Sequence, residues 1–141
     1  AIVLDIDFFK KFNDLLKPNG RMLLQAITIA DQRYDHYRKN VDFIQKYIFP
    51  GGCLPSVSVI AQQFAKSTNM VIDNVQDIGL DYAKTLADWR DNFEANWHDI
   101  ERFGYDNKFK RLWLYYLAYC EGAFLERVIS THHIVARAAR Y

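Results

Sequence analysis

An apolar segment that ends on a rigid turn constrains the fold of this chain more than any other feature. From Asp42 to Ser56 the sequence reads Asp-Phe-Ile-Gln-Lys-Tyr-Ile-Phe-Pro-Gly-Gly-Cys-Leu-Pro-Ser. Pro50 fixes one backbone dihedral angle, and Gly51 and Gly52 permit positive φ, so covalent geometry sets the direction of the chain. Periodicity alone predicts a core helix that ends in a tight turn. A segment of this kind can also form a stiff pocket wall.

The composition places the chain among ordinary globular proteins. Its 141 residues suffice for one domain, and half of them are apolar. The aromatic content of 16% is high, and aromatic side chains either fill a core or line a pocket for a long apolar ligand. The net charge of +1 argues neither for nor against nucleic acid, and we expect no nucleic-acid partner. Two local basic clusters are solvated faces or contacts for anionic lipid: Arg33, Arg38 and Lys39, and Lys108, Lys110 and Arg111.

Cysteine usage and hydropathy predict where the protein resides. Cys53 and Cys120 have no CxxC spacing and are too few for a disulfide framework, which suits a reducing compartment. The longest apolar stretch, 112–120, is too short to cross a bilayer, and no signal-peptide pattern opens the sequence. We therefore expect a cytoplasmic protein with at most a peripheral contact to the inner membrane face.

The first forty residues predict part of an α/β fold. A helix over 6–16 places apolar side chains on one side and ends at Lys-Pro-Asn-Gly, 17–20. Residues 22–29 form a nearly continuous apolar run, as expected for a strand covered on both faces in a parallel sheet. Residues 30–39 are polar and predict a surface excursion beyond the carboxyl end of that strand, where ligands of open α/β sheets bind. The apolar side of the first helix consists of Phe8, Phe9, Phe12, Leu15 and Leu16.

The remaining chain predicts a helix-rich domain with about three strands. We expect a helix over 56–66, a strand over 70–78, a helix from Asp81 onward, a second long helix over 106–127 and a final strand over 128–138. Asp81 suits an N-cap or first-turn position. No linker or repeat divides residues 1–141, so we predict a single domain. The helix from Asp81 carries an aromatic stripe formed by Tyr82, Leu86, Trp89, Phe93 and Trp97.

Motif searches exclude several chemistries. His132 and His133 are adjacent, so on a strand they point to opposite faces and cannot share one ion; we predict no metal site. The sequence has no GxSxG motif, and no glycine-rich phosphate loop follows a strand. Cys120 lies in mid-helix between aromatic residues, which favours a buried, inert thiol.

Three residues near the carboxyl edge of the predicted sheet are candidates for binding. Tyr82 begins the aromatic helix, where its hydroxyl could hold a small anion or a polar headgroup; the alternative is a core aromatic whose hydroxyl has a partner. Gln25 and Ile27 lie two apart on one strand and therefore point to the same face. A buried glutamine needs partners for its amide, and a bound ligand can supply them.

Four motifs resemble the C-terminal half of the cyclopropane-fatty-acyl-phospholipid synthases, relatives of the mycolic acid cyclopropane synthases. They are Tyr-Ile-Phe-Pro-Gly-Gly-Cys-Leu-Pro-Ser (47–56), Leu-Leu-Lys-Pro-Asn-Gly (15–20), Thr-Leu-Ala-Asp-Trp-Arg (85–90) with Phe93, and Tyr-Tyr-Leu-Ala-Tyr-Cys (115–120) with Phe124. The resemblance implies the C-terminal part of a class I, Rossmann-like methyltransferase fold that depends on S-adenosylmethionine. Residues 22–29, 70–78 and 128–138 would be its last three strands, the final one antiparallel, and the two aromatic helices would cover an acyl chain.

The resemblance also implies a reaction and roles for individual residues. Family members transfer a methylene group from S-adenosylmethionine to the cis double bond of an unsaturated phospholipid acyl chain, and a bound bicarbonate takes the proton released on ring closure. Tyr82 and Ile27 match residues of the bicarbonate pocket, and Cys120 matches a cysteine often assigned as catalytic. Gln25 stands where many members have histidine; its amide can donate to an anion but supplies no positive charge. The expected substrate contacts are Tyr47, Phe49, Trp89 and Tyr116.

The same resemblance indicates which parts of the site lie elsewhere. The glycine-rich cofactor loop of the family precedes the matching region, so the cofactor-binding residues are unknown. We expect the chain to supply the lipid-facing half of the site and to be inactive alone. We also expect the strand edge at 22–29 to be covered by a further segment or by a second copy in a homo-oligomer. Two alternatives remain: a methyltransferase of the same fold with another apolar substrate, and a non-catalytic lipid-binding or interaction module.

Overall fold

In the computed structural model, residues 6–140 are described; residues 1–5 and 141 of the predicted domain lie outside the described part. One sheet and a set of helices make up this part. The strands are β1 (Arg21–Ile29), β2 (Val71–Asp77) and β3 (Ile129–Arg137). The α-helices are α1 (Ile6–Leu15), α2 (Asp31–Lys39), α3 (Val57–Ser67), α4 (Gly79–Ala95), α5 (Trp97–Arg102) and α6 (Asn107–Leu125).

The sheet has the strand order β1-β3-β2. β3 is antiparallel to both neighbours, so β1 and β2 run in the same direction and their carboxyl ends meet at one edge. The predicted antiparallel final strand is confirmed. The prediction that β1 pairs in a parallel sheet is wrong for the described residues, because its partner is β3 and not β2. Gln25 of β1 pairs with His133 of β3 in this register.

One face of the sheet carries the main core. α1 and α3 lie over β1 and β3 on this side, and the rings of Phe9 and Phe64 meet edge to face, 4.9 Å apart. Phe9 is fully buried as predicted, but Leu15 is exposed, because it falls beyond the stripe of α1 that faces the sheet. The strand residues buried in this core are Met22, Leu24, Ala26, Ile134 and Ala136. We call this side the packed face.

The other side of the sheet, which we call the open face, is uncovered over β1. Leu23, Gln25 and Ile27 alternate with the buried residues of β1 and are exposed. The prediction that both faces of this strand are covered is therefore wrong for residues 6–140. Its apolar run is continuous because Leu23 and Ile27 are apolar in spite of their exposure.

Two segments differ from their predicted structure. Residues 31–39 form helix α2 and not an irregular excursion; Asp31 in the first turn and Lys39 in the last turn complement the helix dipole. Residues Ile44–Ile48 form a single π-helical turn with no buried residue, not a core helix. The turn that follows contains Gly51 at φ 76°, the positive angle that the sequence predicts.

α4 and α6 form a helical pair beside the sheet. Their contact buries Leu86, Leu117 and Phe124, and an ion pair joins Arg90 of α4 to Glu121 of α6. α4 begins at Gly79, two residues before the predicted start. A Cβ at this position would lie 2.2 Å from the Ser130 hydroxyl oxygen. Glycine is therefore required where α4 leaves the sheet.

The helix ends also bear on the predictions. Asp81 lies in the first turn of α4, as expected. The predicted aromatic helix is divided, because α4 ends at Ala95 and Trp97 begins the short helix α5. Ser56 and Asp106, at the predicted starts of two helices, cap α3 and α6 with side-chain oxygens.

Candidate functional site

The candidate site lies at the edge where β1 and β2 end. Ile27 of β1 pairs with Thr131 of β3. The Thr131 carbonyl accepts a hydrogen bond from the Ile78 N–H at 2.9 Å, and the Ile78 carbonyl accepts from the Tyr82 N–H at 3.0 Å. Tyr82 therefore lies on the first turn of α4, directly beyond the strand edge that carries Ile27.

Tyr82, Tyr116 and Cys120 belong to one cluster between α4 and α6. The Tyr82 ring lies 5.2 Å from that of Phe124 and 6.2 Å from that of Trp89. Burial raises the pKa of Tyr116, and the neighbouring Cys120 and Tyr82 raise it further. The structure thus brings together both predicted catalytic residues and two of the predicted substrate contacts.

Cys120 is held as a neutral thiol. Burial raises its pKa to about 11, and the nearby Asp42 carboxylate adds to the effect. A thiol of this kind is protonated at neutral pH, and the thiolate is the nucleophilic form. The raised pKa agrees with the predicted inert thiol. The catalytic role of Cys120 stays a prediction.

The segment around the π-helical turn forms a wall opposite α6. The ring of Phe43 meets that of Tyr115 edge to face at 4.6 Å, and the ring of Phe49 lies 6.4 Å from that of Tyr116. Tyr47 and Phe49 are more than half exposed, at 56% and 54%. Large apolar rings exposed beside a buried aromatic cluster are suited to contact an apolar ligand.

Hydrogen bonds fix the two ends of this wall. The Gln45 N–H donates to the Asp42 carboxylate at 2.8 Å, and the Asp42 N–H donates to the Gln45 side-chain oxygen at 2.9 Å. At the other end the Leu54 N–H donates to the hydroxyl of Tyr37 on α2 at 3.4 Å. Burial raises the pKa of Tyr37 to about 12, so this hydroxyl stays neutral. No sequence pattern predicts that α2 anchors this wall.

Gln25 is exposed on the open face, not buried. Its Oε1 lies 2.8 Å from Nε2 of His133 on the adjacent strand. In this arrangement the amide oxygen accepts, which corresponds to the His133 tautomer with hydrogen on Nε2. His133 was not a predicted site residue; strand alternation placed it on one face, but its partner lies 108 positions away in the sequence.

Thr131 adds a second polar group beside Ile27. Its side chain is fully buried, and its hydroxyl oxygen has no hydrogen-bond partner among residues 6–140. A buried hydroxyl without a partner is uncommon and costs free energy. It lies where β3 meets the start of α4.

A separate polar cluster occupies the packed face at the same edge of the sheet. His132 Nδ1 lies 2.8 Å from the Thr28 hydroxyl oxygen, and its Nε2 lies 3.7 Å from the Asp77 carboxylate. This confirms that His132 and His133 point to opposite faces. Burial alone would raise the pKa of Asp77, but hydrogen bonds from Ser130 and the Gly79 N–H outweigh it and lower the pKa. A cavity of about 240 Å³ adjoins the cluster.

Two further findings concern the described part as a whole. Within residues 6–140, no group of three His, Cys, Asp or Glu side chains is arranged to hold a metal ion. No helix in this part is long and apolar enough to span a bilayer.

Solved structures share this architecture. The cyclopropane synthase MmaA2 of Mycobacterium tuberculosis aligns with a TM-score of 0.80 at 23% identity, over 94% of this chain and 49% of its own, and shows the fold. The mycolic acid cyclopropane synthase CmaA1 in complex with SAH and CTAB also aligns with a TM-score of 0.80, at 25% identity, over 94% of this chain and 49% of its own. The fold is therefore part of an S-adenosylmethionine-dependent methyltransferase fold, as predicted.

Sequence relatives identify the family. The cyclopropane-fatty-acyl-phospholipid synthase of Escherichia coli K12 is 41% identical over 129 residues, which cover 91% of this chain and 32% of the relative. The tuberculostearic acid methyltransferase UfaA1 of Mycobacterium tuberculosis is 37% identical over 117 residues, 83% of this chain and 27% of the relative. The chain thus spans about a third of the length of these relatives. Residues 5–134 match the mycolic acid cyclopropane synthetase family, and the chain belongs to that family.

Proposed function

We propose that the full-length protein containing this chain transfers a methylene group from S-adenosylmethionine to the cis double bond of an unsaturated phospholipid acyl chain. The observation that carries the proposal is the aromatic cluster at the strand edge. Tyr82, Tyr116 and Cys120 lie together there, and Phe49 reaches the cluster from the opposite wall. The 41% identity to a cyclopropane-fatty-acyl-phospholipid synthase supports the choice of substrate.

In this proposal the aromatic residues bind the acyl chain and protect a cation. Tyr47 and Phe49 expose apolar rings to the chain, and Trp89 and Tyr116 line its path. The π-face of an aromatic ring attracts positive charge, so the rings of Tyr82 and Trp89, 6.2 Å apart, can stabilise the carbocation formed on the alkene. Cys120 contributes apolar surface and a neutral thiol in this proposal. Carbocation chemistry needs no thiolate.

S-adenosylmethionine, when bound, supplies the methyl group. No glycine-rich loop follows a strand in residues 6–140, so we assign no cofactor-binding residue to this chain. Among residues 6–140, β1 is paired on one side only, and its other edge is free for further strands. We propose that this chain supplies the lipid-facing half of the site and that the remainder of the protein supplies the cofactor half.

A bicarbonate pocket is part of the same proposal. Bicarbonate, when bound, supplies a base for the proton released on ring closure. Gln25 lies on the face of β1 that also carries Ile27, and Ile27 pairs with Thr131 of β3. Tyr82 follows on the first turn of α4, which backbone hydrogen bonds through Ile78 connect to Thr131. The hydroxyl of Thr131 supports the proposal, because it is buried and has no hydrogen-bond partner among residues 6–140. This donor set suits a small anion.

A membrane contact is proposed for the turn between α5 and α6. Phe103 is 83% exposed and Tyr105 is 48% exposed in this turn. Arg102 precedes the turn, and Lys108 and Arg111 follow it. Exposed aromatic rings flanked by cations suit the headgroup region of an anionic membrane. A peripheral contact on the cytoplasmic side would bring unsaturated phospholipid to the site.

The free edge of β1 bears on the oligomeric state. We propose that further strands of the full-length protein, or a second copy of it, cover this edge, since an open edge invites pairing. Sedimentation velocity on the full-length protein separates the two: a monodisperse monomer would exclude the second copy.

The test of the reaction uses the full-length protein, S-adenosylmethionine and a phospholipid with cis-unsaturated chains. We expect mass spectrometry to detect a gain of one CH₂ per acyl chain that persists as a ring after mild hydrogenation. A methyl-branched product would indicate instead the alternative chemistry suggested by the relative named tuberculostearic acid methyltransferase. No gain with any unsaturated lipid would contradict the proposal.

Tyr82 provides the matched variants. We expect Tyr82→Phe to lower the rate of methylene transfer roughly 10- to 100-fold, the worth of one hydrogen bond to a charged group. Tyr34→Phe, on α2 and away from the cluster, is the control and should leave the rate unchanged. Equal rates for the wild-type and Tyr82→Phe proteins would remove Tyr82 from the anion pocket.

A further inference from the structure

The open face carries a histidine that contacts a proposed anion ligand. Nε2 of His133 donates to Oε1 of Gln25 at 2.8 Å. In this arrangement the amide nitrogen of Gln25, with its two donors, points away from His133. A glutamine held in this way presents a donor of defined orientation on the strand that also carries Ile27.

The strand residues that pair with His133 are not acidic. In the strand register His133 stands between Gln25 of β1 and Gln76 of β2, so three uncharged or basic side chains form one row. Two carboxylates lie on β2: Asp73 pairs with Arg21 at 3.8 Å and Arg137 at 3.4 Å, and Asp77 faces His132 on the packed side. The neighbours of the row on β1 and β3 are also uncharged: Leu23, Ile27, Thr131 and Val135. Among the register neighbours of this row within residues 6–140, no carboxylate competes with an anion for the donors.

The adjacent histidine serves as a contrast. His132 faces the packed side, where its Nδ1 lies 2.8 Å from the Thr28 hydroxyl oxygen and its Nε2 lies 3.7 Å from the Asp77 carboxylate. His133 uses one nitrogen for Gln25, and its other nitrogen has no hydrogen-bond partner among residues 6–140. Of the two histidines, His133 is therefore the one that can act toward a ligand.

We propose that His133 is a positioning residue of the anion site: it orients the Gln25 amide, and the Gln25–His133 pair does jointly what a single histidine would do at position 25. This inference rests on the proposed anion pocket. The amide supplies the hydrogen bond to the anion, and the imidazole supplies the orientation of that amide.

The test compares four forms of the full-length protein: wild type, His133→Gln, the exchange variant Gln25→His/His133→Gln, and His98→Gln. The last is a control, because His98 is exposed on α5, away from the sheet. Binding of ¹³C-labelled bicarbonate is followed by NMR titration, and the dependence of methylene transfer on bicarbonate is measured separately as kcat and KM.

We expect His133→Gln to weaken bicarbonate binding roughly 10-fold and to raise the KM for bicarbonate by a similar factor, as for one lost charge-assisted contact. The exchange variant should recover most of the affinity, since it restores one histidine and one glutamine across the same strand pair. A residue that only stabilised the sheet would not show this recovery. His98→Gln should match wild type.

Three results would overturn the inference: no bicarbonate binding by the wild-type protein, unchanged binding in His133→Gln, or no recovery in the exchange variant when circular dichroism shows it folded. The binding measurement is independent of turnover. A wild-type protein that binds bicarbonate with the expected pattern of variants but forms no cyclopropane product would refute the proposed reaction and leave the anion site in place.

Discussion

The two faces of the sheet differ although they are built from the same strands. On β1, Leu24 is 8% exposed and lies under α1 and α3, whereas its neighbour Leu23 is 60% exposed on the open face. On the packed face the polar side chains of Thr28 and His132 contact each other. The open face carries the exposed Gln25 and a row of donors. The packed face is completed by this chain, and the open face presents groups for something outside residues 6–140 to bind.

The largest effect expected from this difference is on stability. Leu24→Ala removes a buried side chain from a closed core and should lower the free energy of unfolding by about 3 kcal/mol. Leu23→Ala changes the same residue type one position away and should cost less than about 0.5 kcal/mol in the 141-residue chain, because Leu23 already contacts water. Urea denaturation of both variants measures the difference.

The same pair of variants in the full-length protein sharpens the comparison. If the remainder of the protein covers the open face, Leu23→Ala should become several times more costly there, while the cost of Leu24→Ala stays the same. A large loss from Leu23→Ala in the 141-residue chain alone would contradict the open face described here.

Features of the fold that depend on neighbouring residues could be predicted from the sequence, and those that depend on residues far apart in the chain could not. The aromatic stripe predicted helix α4, and the helix expected over 56–66 is observed as α3 with Ser56 as its N-cap. The alternation on β1 stayed hidden because Leu23 and Ile27 are apolar on an exposed face. The Gln25–His133 contact could not be predicted, because it depends on β1 pairing with a strand 108 positions later. Local sequence patterns predict helices and strands, but the pairing of strands far apart in sequence is seen only in the tertiary structure.

A smaller effect separates two threonines on the two faces. Thr28→Val removes the hydroxyl that contacts His132 and leaves that ring nitrogen without its partner, so we expect a loss of about 1–2 kcal/mol. Thr131→Val replaces a buried hydroxyl that has no partner within residues 6–140, so we expect a gain of up to about 1 kcal/mol. Thermal unfolding should move in opposite directions for the two variants. A loss from Thr131→Val would mean that its hydroxyl has a partner in solution.

The smallest expected effect concerns the pH dependence of the packed face. Hydrogen bonds from Ser130 and the Gly79 N–H, working against burial, hold the pKa of Asp77 below its ordinary value. A carboxyl group with a lowered pKa in the folded state stabilises the fold at pH values above its unfolded pKa, and this stability is lost as the pH falls through the folded pKa. Asp77→Asn should therefore destabilise the chain at neutral pH, by less than about 1 kcal/mol because the side chain is half exposed and screened by solvent.

The difference between wild type and Asp77→Asn should be constant from neutral pH down to about pH 5 and then shrink in more acidic solution, as wild-type Asp77 becomes protonated. Denaturation measured at a series of pH values follows this change. Glu101→Gln on the exposed side of α5 is a matched control that removes one carboxylate away from the sheet, and we expect no such trend for it. A difference that grew toward acidic pH would mean that burial, not the two hydrogen bonds, dominates at Asp77. The polar cluster of the packed face would then lower the free energy of unfolding. The contrast between a packed face whose polar groups are hydrogen-bonded and an open face with free donors would no longer hold.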